Sequence, residues 1–167
     1  MGIKIPLEKA TEGISKLKGP ARGQVIRKNK LEIFADGAHN KASGIALLKT
    51  LKSLYKNITN PILIYGSGYG HDPSEVINEI LRINPIIVLT RSRHPKSIPV
   101  EELETELLRL KIPIYATTKN TKLAVALAKK LRTNDSIIIA TGSLFIAGEV
   151  IEIMNNIKPE LYQFTKN

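Results

Sequence analysis

Three polar residues stand directly after an apolar segment, in the stretch Asp36-Gly37-Ala38-His39-Asn40. The segment before them, Leu31–Ala35, has the pattern of a strand, and a helical pattern begins after Asn40. Ligands of open α/β sheets bind at the carboxyl ends of the strands, where an acid can accept hydrogen bonds from ribose hydroxyls. An acid in such a turn can also cap the amides of its own turn. These residues alone leave both roles open for Asp36.

The other residues of this corner have simpler interpretations. Gly37 permits a tight turn with positive φ, and Asn40 is suited to be the N-cap of a helix that begins at Lys41. His39 could stack on a base or donate a hydrogen bond to a phosphate or a ribose. It could equally be a structural or solvated histidine.

All three histidines of the chain, His39, His71 and His94, follow predicted strands. Because parallel strands place their carboxyl ends on one edge of the sheet, the three rings could converge there. Together with Asp36 and Asp72 they would offer ligands to a metal ion. Their spacing contains no compact metal-binding motif, so we assign no metal ligand to this chain.

Two further segments could bind an anion through backbone amides. The glycine-rich stretch Gly66-Ser67-Gly68-Tyr69-Gly70 could cradle a phosphate, or it could be an ordinary loop. It is neither the dinucleotide-binding glycine motif nor a complete phosphate loop. Thr141-Gly142-Ser143 ends a strand and opens a helix, with Ser143 as N-cap. The free helix N-terminus could attract an anion, and packing is the simpler role.

The basic residues point to polyanionic partners. The chain has 25 Lys and Arg against 15 Asp and Glu, a formal net charge of +10. Such an excess favours nucleic acid, nucleotides or acidic substrates, or it is a solvated lysine-rich surface. Arg91, Arg93, His94 and Lys96 follow one predicted strand and present the same two alternatives. Aromatic residues make up only 5% of the chain, so a base-stacking platform is poorly supplied and nucleic-acid binding is not favoured.

Strands and helices alternate along the chain. We predict an α/β fold with one doubly wound, mostly parallel sheet of about six strands. Amphipathic helices lie between the strands, and the fourth helix presents Leu123, Leu127 and Leu131 on one face. A hairpin places one antiparallel strand at an edge. The predicted strands are Gln24–Arg27, Leu31–Ala35, Pro61–Tyr65, Pro85–Leu89, Ile112–Tyr115 and Ser136–Ala140.

The bulk composition narrows the class of protein. The chain has 167 residues, of which 43% are hydrophobic, and no cysteine. It is therefore expected to have one globular core, with no disulfide and no thiolate chemistry. It has no signal-peptide pattern and no apolar run that could cross a membrane. We expect a cytoplasmic protein.

Several motifs together resemble the folylpolyglutamate synthase family, which includes bifunctional dihydrofolate synthases and belongs to the Mur ligase superfamily. The stretch 36–40 is similar to the family's D-G-A-H-N-P signature, and Pro20-Ala21-Arg22 lies where the family has P-G-R. The segment Thr141–Val150 is similar to its closing T-G-S-L-[YF]-x-x-G-E-V, and Arg93-His94-Pro95 fits its middle part. The resemblance implies a Rossmann-like Mur ligase C-terminal domain over residues 20–167, preceded by a connector at residues 1–19.

The resemblance also implies a function. The family uses ATP to phosphorylate a carboxylate, and the amine of glutamate attacks the acyl phosphate. On this basis Arg22 would contact the nucleotide phosphates and Asp36 would hold the ribose, with His39 as a weaker ATP-binding residue. Folate and glutamate would be partners only of the whole enzyme.

The chain departs from the family pattern in three places and lacks one part of it. Ala21 replaces a glycine, Lys41 replaces a proline, and Gly70-His71-Asp72 replaces an acid-lysine-acid segment. The family's G-T-N-G-K-G-S phosphate loop and its Mg²⁺ ligands belong to an N-terminal ATPase domain that is not in this sequence. We therefore assign no catalytic residue and expect the chain alone to be inactive. The alternative is a non-catalytic basic module that binds nucleotides or RNA.

Overall fold

The computed structural model describes residues 19–28, 31–58, 60–133 and 136–162. Within these ranges six strands form one sheet in the order β1-β2-β6-β3-β4-β5. The connector predicted for residues 1–19 lies almost entirely outside the described residues. The strands are β1 (Gln24–Lys28), β2 (Leu31–Ala35), β3 (Ile62–Tyr65), β4 (Ile86–Leu89), β5 (Ala116–Thr117) and β6 (Ile138–Thr141).

Helices cover both faces of the sheet. In the described ranges they are α1 (Lys41–Leu54), α2 (Pro73–Ile80), α3 (Val100–Arg109), α4 (Thr121–Leu131) and α5 (Leu144–Asn155), with a 3₁₀ turn at Leu81–Ile83. Helices α1, α2 and α3 share one hydrophobic core with the sheet. Helices α4 and α5 share a second core on the opposite face. The predicted doubly wound α/β fold is therefore confirmed.

The central strands explain why the sheet is covered on both sides. All four residues of β3 are buried. Leu63 and Tyr65 face the core that contains α1 to α3, whereas Ile62 and Ile64 face the core that contains α4 and α5. Side chains of a strand alternate between the two faces of its sheet. A strand that is apolar at every position therefore needs a helical layer on each side.

The order of the strands creates a crevice at the carboxyl edge. Strand β6 lies between β2 and β3 and is parallel to both. The helices after β2 and β3 lie on one face, and the helix after β6 lies on the other. Neighbouring strands whose connections leave on opposite faces form a topological switch point, where ligands bind in open α/β sheets. Strand β1 pairs antiparallel with β2 at the edge, as predicted.

The predicted strand Ile112–Tyr115 is wrong in its position. The edge strand β5 contains only Ala116 and Thr117, which pair with β4. Pro113 has no N–H to donate to a ladder, and pairing begins only where the Tyr115 N–H donates to the Ile87 carbonyl at 2.9 Å. Ile112 is nevertheless buried in the core.

The leucine repeat of the fourth helix is only partly buried, with Leu127 and Leu131 packed against the second core. Leu123 is 49% exposed, and the buried positions of α4 are Thr121, Ala124, Val125 and Ala128. This helix packs against both α5 and the sheet. Small side chains allow the close approach of the two layers, so burial follows the alanines rather than the leucine repeat.

Candidate functional site

The site lies where the carboxyl ends of β2 and β6 meet. The Asp36 N–H donates to the Ala140 carbonyl at 3.0 Å, and the Gly142 N–H donates to the Ala38 carbonyl at 3.1 Å. These two bonds join the turn after β2 to the turn after β6. The stretch 36–40 is therefore fixed in the crevice of the topological switch point.

Gly37 is needed for a different reason from the one predicted. Glycines of the described residues with positive φ are Gly23, Gly70 and Gly142, so the expected positive φ at Gly37 is wrong. A Cβ at Gly37 would lie 2.9 Å from Leu144 Cδ1 and 3.1 Å from Leu144 Cα. Glycine at this position lets the first turn of α5 pack directly on the Asp36 turn.

The carboxylate of Asp36 joins two turns of the chain. Its Oδ1 accepts a hydrogen bond from the Ala38 N–H at 2.9 Å, which closes the turn after β2. Its Oδ2 accepts a hydrogen bond from the Gly23 N–H at 2.7 Å, in the turn before β1. The capping role left open by the sequence is thus present, and it extends to a second segment.

Arg22 occupies the turn that Asp36 holds. Its neighbours Ala21 and Gly23 both have left-handed backbone conformations, with φ of 59° and 61°. Where the resembling family has glycine, this chain places an alanine in a conformation that suits glycine. The Arg22 side chain is exposed and folds toward Gly19. Across the described ranges no acid forms an ion pair with it.

His39 is oriented by the same turn. Its Nδ1 lies 2.9 Å from the Gly37 carbonyl oxygen and donates to it, because a carbonyl oxygen can only accept. The ring centroid lies 4.6 Å from that of His71. His94 stacks on Phe145 instead, so His39 and His71 are the two histidines that contact each other. The part of the chain that the structure describes contains no group of three potential metal ligands.

Helix capping at this edge follows the sequence. Asn40 caps α1 with its side chain accepting from the Ser43 N–H at 2.9 Å, and Ser143 caps α5. Asp72 caps α2, with Pro73 as the first helical residue. Lys41, which replaces the family's proline, donates its N–H to Glu75 Oε2 at 3.0 Å. That contact ties the start of α1 to α2.

A groove beside the site is lined by acidic residues. It has a volume of about 570 Å³ and lies between the loop before α2 and helix α3, with His71, Asp72, Glu102 and Glu106 in its lining. Carboxylates repel the phosphates of a nucleotide. The groove is therefore a poor binding site for a triphosphate.

The glycine-rich loop after β3 is held by backbone pairing. The Tyr69 N–H donates to the Lys96 carbonyl at 2.8 Å, and the Ile98 N–H donates to the Ser67 carbonyl at 3.0 Å. Gly68 forms an isolated antiparallel bridge with Ser97. These bonds favour the interpretation as an ordinary structural loop over a phosphate cradle.

The basic cluster after β4 is closed by acids of α5. Glu149 Oε1 accepts from the Arg93 N–H at 2.6 Å, and the Arg93 guanidinium donates to Glu152 Oε2 at 2.6 Å. His94 is buried against Phe145, with ring centroids 3.5 Å apart. Burial lowers the pKa of His94, and the charge of Lys96 lowers it further. Arg93 is therefore neither an open anion site nor a solvated charge.

Sequence reasoning missed the partners in both clusters. Glu149 is only 3% exposed, yet the motif that contains it was used only to recognise a resemblance. An acid in the middle of an otherwise apolar helix was the available signal for a buried ion pair. Gly23, one residue after Arg22, was also missed as a partner of Asp36. The predicted hairpin was the available signal, because its register places Gln24 opposite Ala35.

Among the described helices, none combines the length and the apolar character needed to cross a bilayer. A family model described as the dihydrofolate synthetase C-terminal domain matches residues 21–153. A comparison with curated proteins finds no match.

Solved structures share the fold. Folylpolyglutamate synthase of Mycobacterium tuberculosis, complexed with ADP and AMPPCP, has a TM-score of 0.75 and 21% identity over 90% of this chain. FolC of E. coli, in complex with DHPP and ADP, has a TM-score of 0.69 and 18% identity over 93% of this chain. The bifunctional enzyme of Yersinia pestis, complexed with AMPPNP and Mn, has a TM-score of 0.69 and 15% identity over 92% of this chain. The chain spans 35–36% of the length of these structures.

Proposed function

The chain belongs to the family of dihydrofolate synthetase C-terminal domains, and on this premise we propose that it is the nucleotide-closing domain of an ATP-dependent ligase. The ligase adds L-glutamate to dihydropteroate or folate through an acyl phosphate. The chain supplies one side of the ATP site, and an ATPase domain with a phosphate loop supplies the other. By itself the chain does not turn over ATP, folate and glutamate.

One observation carries this proposal. An exposed arginine without an acidic partner among the described residues stands at the switch-point crevice, in a turn that Asp36 holds by a 2.7 Å hydrogen bond. A guanidinium in that state is free to pair with phosphate oxygens. Arg93, in contrast, already has two acidic partners, so the same residue type does not serve there.

Each residue of the site has a role in this proposal. Arg22 contacts the nucleotide phosphates and stabilises the charge that develops during phosphoryl transfer. Asp36 holds the ribose, since an ionised carboxylate has more acceptor positions than the two used by Ala38 and Gly23. His39 lies in the same turn, with its ring held by the Gly37 carbonyl, and is the weaker contact. ATP supplies the phosphoryl group when it is bound.

The described residues do not fit a Mg²⁺ site. No cluster of three potential ligands occurs within the described ranges, and the acidic groove has carboxylates already engaged by Tyr69, Ser74 and Arg109. We therefore assign no step to a metal held by this chain. We propose that Mg²⁺, folate and glutamate bind to the domain that carries the phosphate loop.

The test is reconstitution of the ligase. The full chain is mixed with an N-terminal ATPase domain of the family, and glutamate ligation is followed with MgATP and dihydropteroate. We expect turnover only in the mixture, and Arg22→Ala should lower it about a hundredfold or more, as loss of a donor to developing charge does. Lys49→Ala, an exposed lysine farther along α1, is the matched control and should leave turnover unchanged.

Two results would contradict the proposal. Robust turnover by this chain alone would show that it carries its own catalytic machinery. Equal turnover for the Arg22→Ala and Lys49→Ala mixtures would show that Arg22 does not reach the nucleotide.

A further inference from the structure

We propose that Asp36 is a positioning residue, whose carboxylate fixes the turn that presents Arg22 to the crevice. This inference rests on the proposed function, because it assigns Arg22 to the nucleotide. It goes beyond that function, because Asp36 fixes the turn even when no nucleotide is bound.

The carboxylate bridges two segments that are distant in the sequence. Its two oxygens accept from the Ala38 N–H at 2.9 Å and the Gly23 N–H at 2.7 Å. A charged acceptor makes a stronger hydrogen bond to a backbone amide than a neutral one does. The bond to Gly23 therefore connects the residue after Arg22 to the end of β2.

A second bond fixes the other side of Arg22. The Gly37 N–H donates to the Ala21 carbonyl at 2.7 Å. Arg22 is thus flanked on both sides by residues bonded to the Asp36-Gly37 peptide segment. Ala21 is also only 1% exposed and packs in the core beneath α5.

The backbone of the turn needs this support. Ala21 has φ of 59°, a conformation that costs an L-residue free energy and persists where surrounding contacts hold it. Without the Asp36 carboxylate, the turn would keep its buried methyl group but lose its bond on the Gly23 side. Arg22 would then sample several directions, and its guanidinium would meet a nucleotide less often in the right orientation.

The first experiment needs no nucleotide. Amide hydrogen exchange of the full chain is measured by NMR for wild type, Asp36→Asn and Asp72→Asn. We expect Asp36→Asn to speed exchange at Gly23 about tenfold, the loss of one hydrogen bond to a charged group. Asp72 caps α2 with a similar 2.8 Å bond to the Ser74 N–H, so its variant is a matched control and should leave Gly23 unchanged. Amides of β3 report whether the whole fold has loosened.

A measurement on the wild-type chain covers the case in which Asp36→Asn does not fold. A scalar coupling through the hydrogen bond, from the Gly23 nitrogen to the Asp36 carboxyl carbon, should be detectable. Its absence, or unchanged exchange at Gly23 in a folded Asp36→Asn variant, would overturn the proposal.

The second experiment separates positioning from ribose binding. Affinities for MgATP and for its 2′,3′-dideoxy analogue are measured for wild type, Arg22→Ala, Asp36→Asn and the double variant, each mixed with the N-terminal ATPase domain. If Asp36 acts through Arg22, Asp36→Asn also weakens binding of the dideoxy analogue, which has no ribose hydroxyl, and for that analogue the double variant loses no more affinity than the worse single variant. A loss from Asp36→Asn that vanishes with the dideoxy analogue would overturn positioning in favour of a pure ribose contact. If wild type adds no affinity to that of the ATPase domain alone, the proposed function fails, while fast exchange at Gly23 in the Asp36→Asn variant still supports the role of Asp36 in the turn.

Discussion

Two clusters at the carboxyl edge contain the same three kinds of residue and behave in opposite ways. The Asp36 cluster contains Arg22, Asp36 and His39, and the Arg93 cluster contains Arg93, His94 and Glu149, with Glu152 and Phe145 beside them. In the first, the acid binds backbone amides and leaves the arginine exposed. In the second, the acids bind the arginine and the histidine is buried.

The difference teaches what makes an arginine available to a ligand. An acid whose carboxylate oxygens accept hydrogen bonds from backbone N–H groups fixes a turn without forming an ion pair with the neighbouring arginine. An acid that faces the guanidinium locks two elements together and leaves little charge for a ligand. The two clusters share the same types of residue, and the partner of the carboxylate decides the role.

The largest expected effect is on the closed cluster. Glu149→Ala removes a buried acceptor from the Arg93 N–H and an ion-pair partner 3.9 Å from the Arg93 guanidinium, and it should lower the free energy of unfolding by about 3 kcal/mol. Urea unfolding of the full chain measures it. Glu101→Ala, an exposed acid in the first turn of α3, is the control and should change stability by less than about 0.5 kcal/mol. Similar losses for the two variants would show that the Arg93 cluster is not a stabilising lock.

Arg93→Ala and Arg22→Ala should lower the free energy of unfolding by different amounts in the same urea assay. Arg93→Ala is expected to cost about 1–2 kcal/mol of unfolding free energy, because its side chain is 32% exposed and pairs with two acids. Arg22→Ala should cost less than about 0.5 kcal/mol, as the substitution of an exposed residue with no ion pair to any described acid does. The reverse order would break the comparison, since Arg22 would then be the structural arginine.

The smallest effect concerns pH. Burial lowers the pKa of His94, so the unfolded chain binds the proton more readily than the folded one. The stability that His94 contributes is fully present above the ordinary histidine pKa of about 6.5 and is lost as the pH falls from there toward the folded-state pKa. Protonation at Nδ1 would also remove its bond from the Lys96 N–H at 3.1 Å.

His94→Phe tests this dependence, because it keeps a ring against Phe145 and removes the titrating group. Urea unfolding between pH 5 and pH 7.5 should show a shallower loss of stability at low pH for the variant than for wild type. Parallel profiles would mean that His94 is not protected from the proton in the folded chain.

Most of the fold was predictable from local patterns. Largely apolar runs at Leu31–Ala35 and in β3 predicted strands, and the caps Asn40 and Ser143 predicted the starts of two helices. The family inferred from the motifs is confirmed by the match over residues 21–153. The error at Ile112–Tyr115 falls where Pro113 lacks the N–H that a strand ladder needs, and the exposure of Leu123 was decided by the packing of α4 against the sheet and α5.

The site was predictable only in part. The motifs marked Arg22, Asp36 and His39, and their nucleotide contacts stay predictions. The structure added Gly23 as a partner of Asp36 and showed that Arg93 and His94 are enclosed. Of the three histidines that could have converged, only His39 and His71 are in contact.

The sequence by itself determined which segments form strands and helices, since periodicity and capping depend on residues a few positions apart. It also determined the family, since motifs are local. Only the tertiary structure decided which acid faces which donor. Hydrogen bonds between Asp36 and Gly23, or Glu149 and Arg93, join positions 13 and 56 residues apart. The first depends on the register of the β1–β2 pair, which places Gln24 opposite Ala35. The second depends on the strand order β6-β3-β4, which no local pattern specifies.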